Sequence, residues 1–389
     1  MTAGVPDDAG YGAALADVLD VTARHAAHAD ETASFPVEAL DAMRRTGLLG
    51  LAVPAAYGGG GGGLAEIVDA TLRLARVDMS VGLIFAMHCQ QVVAVVRHAD
   101  DDLAGRLLPV LGKGDRYLAS VTTERGKGGH LLSSESAVER AAGTLRIDRD
   151  APIVTGGGHA DAFLITTLAP DADSPSQVSL VFAWRDQLTV ETRGGWQPLG
   201  MRATESVPMR LVGRVPADQV IGSPGHFREI VSTTFGPLAH IGWAAAWLGA
   251  ATGALSRVLG HIRGDGRAGF DPSSELLLTR VARIRARLDL VNALLWHTVG
   301  AVSGAAPVTE PSIQLLVNSL KVHASEQCFA AVDELMELVG LRHGYLRGSP
   351  LWVERVFRDL RSASLNYGND RLLLVNGALA LRDRQVRLA

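Results

Sequence analysis

The chain has 389 residues, 47% of them hydrophobic and 20% charged, with a formal net charge of −4. That apolar fraction is enough for large cores and excludes a disordered chain. The absence of a basic excess argues against binding to nucleic acid or to an anionic membrane surface. Cys89 and Cys328 are the only cysteines, so neither a disulfide framework nor a four-cysteine zinc site can be built, and no metal ligand set stands out. The expected setting is a reducing one, the cytoplasm, in keeping with an acidic opening, MTAGVPDDAG, that lacks the features of an export signal.

From about residue 11 to 110 the texture is helical. Ala- and Leu-rich sequence covers Tyr11–His28, a proline opens Pro36–Met43, and apolar periodicity continues through Leu64–Arg76 and Val81–Arg97. Between these segments six consecutive glycines, Gly58 to Gly63, read as a floppy turn. From about 115 to 220 short β-branched runs take over, at Tyr117–Thr122, Thr144–Ile147, Phe163–Thr167, Val178–Ala183, Leu188–Val190 and Met209–Val212, which predicts an antiparallel β domain. Helical texture returns through Ser274–His297, Ser312–Val339, Trp352–Ser362 and Asn369–Arg382. The order helices, strands, helices defines an α+β chain and excludes an alternating βαβ sheet. The expected domains are a helical one over 1–114, a β domain over 115–224 and a helical bundle over 225–389.

Ile230 to Ser256 carries no charged residue and is long enough to cross a bilayer. Its proline, histidine, threonines and small residues predict instead a helix buried within a bundle. Gly264-Asp-Gly-Arg-Ala-Gly269 matches the dinucleotide pattern G-x-G-x-x-G, but no strand precedes it, so it reads as a loop between helices. Lysine occurs only at 113, 127 and 321, and Lys113 lacks the flanking pattern of a phosphate loop. A strand running into Thr122-Thr123-Glu-Arg-Gly-Lys-Gly-Gly129 offers hydroxyls and backbone N–H groups to an oxygen-rich ligand, and Ile153-Val154-Thr155 before three glycines repeats the combination. His88, in an apolar stretch, reads as a satisfied core histidine.

Several segments in order resemble the acyl-CoA dehydrogenase family. They are Leu51-Ala-Val-Pro-Ala-Ala-Tyr-Gly-Gly59, Leu107–Gly114 followed by Ala119–Gly129, Thr144–Asp161, Leu199-Gly-Met-Arg-Ala-Thr204 with Val215–Gly222, and Gly340–Tyr345 with Glu354-Arg-Val-Phe-Arg-Asp359. The resemblance implies a helical N-terminal domain, a middle β domain and a C-terminal four-helix bundle, with one FAD per subunit. By that resemblance Val121, Thr122, Thr123, Gly129, Ile153, Val154 and Thr155 contact the flavin. Arg267 and Phe270 match an R-x-x-F whose arginine reaches the pyrophosphate in a neighbouring subunit, and Asn369 and Arg371 fall at the adenosine half. A dimer or tetramer, an acyl thioester substrate on CoA or a carrier protein, and a flavoprotein or oxygen as electron acceptor follow from the same likeness.

One departure bears on chemistry. The family's C-terminal catalytic Glu, in Tyr-Glu-Gly-Thr, aligns with Tyr367 of Asn366-Tyr-Gly-Asn369. A carboxylate in a dry pocket is a suitable base for an α-proton, whereas a free phenol titrates near 10, at about three units above neutrality. Some branches of the family carry the base at the start of a buried helix, and the register to Gly236-Pro237-Leu238 puts Glu229 there. The expected activity is α,β-desaturation of an acyl thioester with Glu229 as base and Tyr367 near the substrate. The alternatives are a flavin monooxygenase on the same fold and a non-catalytic flavin-binding homologue.

Overall fold

The computed structural model describes residues 8–125, 130–264, 269–304, 306–383, 385–386 and 388–389. It divides into two compact units, one of residues up to 67, 84–197 and 203–239, the other of 68–83, 198–202 and 240–389.

The first unit holds α1 (Asp8–Thr32), α2 (Val37–Thr46), the greater part of α4 (Met79–His98), α5 (Asp101–Leu111) and two four-stranded sheets. Pro36 fixes the entry to α2, and Gly47, at φ 73°, turns the chain out of it. One sheet orders β1 (Leu118–Val121), β4 (Ala162–Leu168), β5 (Val178–Trp184) and β8 (Val220–Ile221) side by side. The other orders β2 (Glu139–Ala141), β3 (Thr144–Thr155), β7 (Ser206–Pro216) and β6 (Leu188–Thr192). Pairing is antiparallel, as the sequence texture predicts, except that β1 runs parallel to β4, Val121 lying opposite Ile165. In β3, Leu145, Ile147, Arg149 and Ala151 alternate inward, and an extra residue bulges between Ala151 and Val154 where Pro152 cannot donate to the ladder.

The glycine run is not floppy, contrary to expectation. The N–H groups of Gly60, Gly61 and Gly62 donate to the carbonyls of Gly50, Val53 and Leu51 at 3.0, 2.8 and 2.8 Å. A Cβ at Gly59 would collide with the Val53 carbonyl, and one at Gly62 would lie 2.7 Å from Leu51 Cδ1. Glycine is used there for close backbone approach, which composition alone does not distinguish from slack.

The second unit contains α7 (Gly236–Arg263) from His240 onward, with α8 (Glu275–Ser303), α9 (Pro311–Gly340), α10 (Val353–Leu360) and α11 (Asn369–Ala380). Helices α8, α10 and α11 all pack on α9. The corner between α3 (Leu64–Val77) and α4 joins it through a buried pair, Arg355 Nη2 donating to Asp78 Oδ2 at 2.7 Å. Asp78 Oδ1 also accepts from Ser80 N–H at 2.8 Å, which starts α4. The stretches 199–202 and 354–359 lock together: Met201 N–H donates to Asp359 Oδ1 at 2.5 Å and Arg358 Nη1 to the Leu199 carbonyl at 3.2 Å. A Cβ on Gly200 would strike the Arg358 carbonyl. Helix α4 and the span Phe227–Arg263 pass a length-and-hydropathy test for crossing a membrane, yet 89% and 83% of their most apolar windows are buried inside the protein, as in core helices.

His88 is fully buried on α4, where its Nε2–H donates to the Leu49 carbonyl at 2.8 Å and its Nδ1 accepts from Leu118 N–H at 3.0 Å. Those two bonds require one neutral tautomer. Burial pushes its pKa from 6.5 down to about 4, against the raising effects of the Leu49 bond and Asp161. The unfolded chain therefore takes up a proton that the folded chain refuses. Stability should be level above about pH 6.5 and fall by about 3 kcal/mol from this residue as pH drops toward 4, with buried His240 adding to the same acid limb. Urea titrations from pH 7.5 to 4 would measure it. His88→Gln should lower stability at neutral pH but flatten the acid slope, and an unchanged slope would refute this assignment.

Candidate functional site

In the first unit, β1 delivers Thr122, Thr123 and Glu124 to the mouth of the bulge in β3. Thr123 ties the two expected flavin segments together, since its Oγ1 donates to the Ile153 carbonyl at 2.8 Å and accepts from Ile153 N–H at 3.3 Å. The bulge leaves Ile153 47% exposed, while Val121 and Val154 are fully buried. Thr155 Oγ1 opens a chain of three hydroxyls, 2.9 Å from Ser206 Oγ, which in turn lies 2.9 Å from Thr204 Oγ1. Gly129 falls outside the described residues.

Two residues that sequence reasoning missed hold this loop. Arg149, 1% exposed, donates to the Thr123 carbonyl at 2.9 Å and to Thr166 Oγ1 at 3.3 Å, and pairs with Glu124. Glu124 also accepts from Ser134 Oγ at 2.8 Å and from the N–H groups of Glu135 and Ser136. Burial lowers the pKa of Arg149 to about 10, with Asp150 opposing, so the guanidinium stays charged at neutral pH. The signal was present in the alternation of β3, where Arg149 occupies an inward position between Ile147 and Ala151.

Glu229 lies on α6 (Phe227–Ile230), exposed to solvent in the single chain. Its carbonyl accepts from Ser232 Oγ and Thr233 Oγ1 at 3.0 and 2.7 Å. The next turn, Val231–Phe235, is a π-helix. Pro237 explains part of this, because it has no N–H for the Thr233 carbonyl, which takes Arg97 Nη1 at 3.4 Å instead. Gln90 Nε2 donates to the Phe235 carbonyl at 2.6 Å, and His98 Nε2 lies 2.8 Å from Thr234 Oγ1.

In the second unit, Tyr367 sits between α10 and α11 at φ 50°, a left-handed conformation costly for a residue with a Cβ. Its ring centre is 6.2 Å from that of His240, a buried histidine that sequence reasoning also missed. Burial, reinforced by the nearby Lys321 charge, pushes the pKa of His240 down to about 3, so it is neutral at physiological pH. Its Nδ1 has no hydrogen-bond partner among the described residues. His240, Trp243 and Trp247 fall at i, i+3 and i+7 on α7, with ring centres 5.8 and 6.3 Å apart in succession. Asn369 spends its amide within the unit, on Lys321, Ser325 and Glu326. Arg371 is half-buried at the start of α11, and Phe270 packs edge-on against His261 at 6.4 Å. Arg267 lies outside the described residues.

Sequence profiles described as acyl-CoA dehydrogenase N-terminal domain and acyl-CoA dehydrogenase C-terminal domain match residues 15–115 and 234–378, well over half the chain. The chain belongs to the acyl-CoA dehydrogenase family. It is 24% identical over 361 residues to the short-chain-specific acyl-CoA dehydrogenase of Clostridium acetobutylicum, covering 91% of this chain and 92% of that one. It is 28% identical over 374 residues to the L-evernosamine nitrososynthase of a Micromonospora strain, covering 90% and 84%. The FMN-bound crystal structure of TdsC from Paenibacillus sp. A11-2 superposes with a TM-score of 0.85 at 22% identity, over 95% of this chain and 98% of that one, a likeness of fold.

A flavin is the cofactor of this family, FAD being its usual form. The donor set fits one: the hydroxyls of Thr122 and Thr155 can each donate or accept, and that of Thr123, whose proton goes to the Ile153 carbonyl, can still accept, which suits the alternating N–H and C=O groups of an isoalloxazine edge. Arg149 should therefore govern cofactor retention through the Thr123 carbonyl. Glu124→Ala should cost about 3–5 kcal/mol in urea unfolding, because it strips a paired carboxylate from a buried guanidinium. Glu124→Gln with Arg149→Met should recover much of that stability and still lose flavin on gel filtration. Full flavin occupancy in the double variant would show that the pair serves folding alone.

Proposed function

We propose that this chain is a flavin-dependent monooxygenase built on the acyl-CoA dehydrogenase fold, acting on an amine carried by a small polar molecule. The observation that carries the proposal is Tyr367: the position that aligns with the family's catalytic carboxylate holds a phenol whose aromatic neighbour is the neutral imidazole of His240. A desaturase needs a base for an α-proton, whereas oxygenation of an amine needs its lone pair free and its N–H groups oriented. The 28% identity to a nitrososynthase and the 25% identity to the amino sugar nitrososynthase of Streptomyces peucetius support an amine.

A reduced flavin bound there would supply the two electrons that split O₂, so that one oxygen atom converts an amine R–NH₂ to R–NHOH and the other leaves as water. The rest falls to side chains of this chain. The Nδ1 of His240, buried and without a partner among the described residues, is the group we assign to hydrogen-bond the substrate, and with a pKa of about 3 it stays uncharged throughout. Trp243 offers an apolar wall beside it. Reduced flavin from a separate reductase, FAD or FMN as the bound form, a cytoplasmic location and a homo-oligomer complete the proposal. Exposed Leu276, Leu278 and Leu290 on α8, with Leu373 and Leu374 on α11, support assembly through apolar surface.

The competing reading is acyl-thioester desaturation with Glu229 as base. Its helix-start register speaks for it, and its exposure against it. The test is to identify the flavin by mass, titrate the enzyme anaerobically with acyl-CoA thioesters, and then supply NADH, a flavin reductase, oxygen and a panel of amino sugars. We expect no bleaching by thioesters and an amine product heavier by one oxygen. Tyr367→Phe should slow turnover by about 0.5–1.5 kcal/mol, the scale of one hydrogen bond, with Glu229→Gln near wild type. Anaerobic bleaching by a thioester, with Glu229→Gln slowed by about 10²–10⁴, would establish the desaturase instead.

A further inference from the structure

Lys321 is one of three lysines in the chain and is fully buried. A buried ammonium is expensive unless its protons are taken up, so its partners indicate what it is for. It stands inside α9, and its Nζ donates to Asn369 Oδ1 at 2.7 Å and to the Tyr367 carbonyl at 3.3 Å. It also lies 5.7 Å from the Trp247 ring centre. The rest of Asn369 is bound to the same helix: Ser325 Oγ donates to its Oδ1 at 3.3 Å, and its Nδ2 donates to Ser325 Oγ and Glu326 Oε1, each at 3.1 Å. Lys321, Ser325 and Glu326 therefore form a socket on α9 for the residue that opens α11.

Tyr367, two residues earlier, is held at φ 50°. A conformation of that kind persists only where its surroundings over-determine it. The Tyr367 carbonyl precedes α11 and has no place in that helix's ladder, so the lysine is the group that holds it from within the bundle. Burial lowers the pKa of Lys321 to about 8, Glu326 opposing, so most of it is charged at neutral pH and can donate to both acceptors.

We propose that Lys321 is a positioning residue: by holding the Tyr367 carbonyl and the Asn369 side chain it sets where the Tyr367 phenol lies beside His240. The proposal rests on the reading of Tyr367 as a site residue. A lysine that merely filled the core would be replaceable by methionine without local consequence.

The test uses the flavin-loaded enzyme and two readouts, one of which does not depend on the reaction. Hydrogen–deuterium exchange should show amides 366–370 exchanging at least about tenfold faster in Lys321→Met, with α8 and α10 unchanged. Turnover should fall about tenfold in Lys321→Met, partly recover in Lys321→Arg, and change by less than about twofold when Lys321→Met is added to Tyr367→Phe. Asn369→Ala, which removes the shorter of the two bonds, should give the same exchange pattern, and it decides the matter if Lys321→Met does not fold. Unchanged exchange at 366–370, or an equal loss of turnover with and without the Tyr367 hydroxyl, would overturn the proposal. If the enzyme proves to be a desaturase, turnover is read with the thioester and the exchange result stands as it is.

Discussion

A cation removed from water must find partners, and that constraint organises both units of this protein. In the first, Arg149 is buried on the inner face of β3 and takes Glu124 and the Thr123 carbonyl, which shapes the polar loop after β1. In the second, Arg355 takes Asp78 and so binds the α3–α4 corner to α10, while Lys321 takes Asn369 and Tyr367. Each pair is a weak source of net stability, because desolvation offsets most of the attraction, but each is costly to break on one side. Such pairs act as registers, fixing which loop lies where.

The same logic separates two kinds of polar group near the expected chemistry. His88 and Asn369 have their hydrogen-bonding capacity met inside the fold, so they serve structure. His240 is equally buried yet keeps a ring nitrogen unpartnered among the described residues. A buried polar atom left open in this way costs stability, and beside Tyr367 that cost has a functional explanation. On the proposed reading, the neutral imidazole of His240 and the hydroxyl of Tyr367 would orient hydrogen bonds to a substrate more than remove a carbon-bound proton.

Much of the candidate site was legible in residue types. Thr122, Thr123 and Thr155 were visible as hydroxyls beside glycines, and Tyr367 as a phenol where the family carries a carboxylate. Arg149 could have been found from its inward parity in β3, and His240 from its spacing to Trp243 and Trp247. What a side chain does with its capacity was not legible: Asn369, expected at the adenosine half, has its amide bound to α9. The glycine run misled because glycine serves both slack loops and close packing, and only contacts with Val53 and Leu51 tell the two apart.

The sequence by itself determined the order of helices, strands and helices, the burial of the charge-free helix over 230–256 and the family to which the chain belongs. These follow from periodicity, composition and local motifs, which act over a few residues. Tertiary structure alone decided which polar groups each buried cation takes as partners: Glu124 and Arg149 lie 25 residues apart, Lys321 and Asn369 48, and Asp78 and Arg355 277. The reason is physical, because a buried hydrogen bond is satisfied by direction and distance in space, and spacing along the chain carries neither.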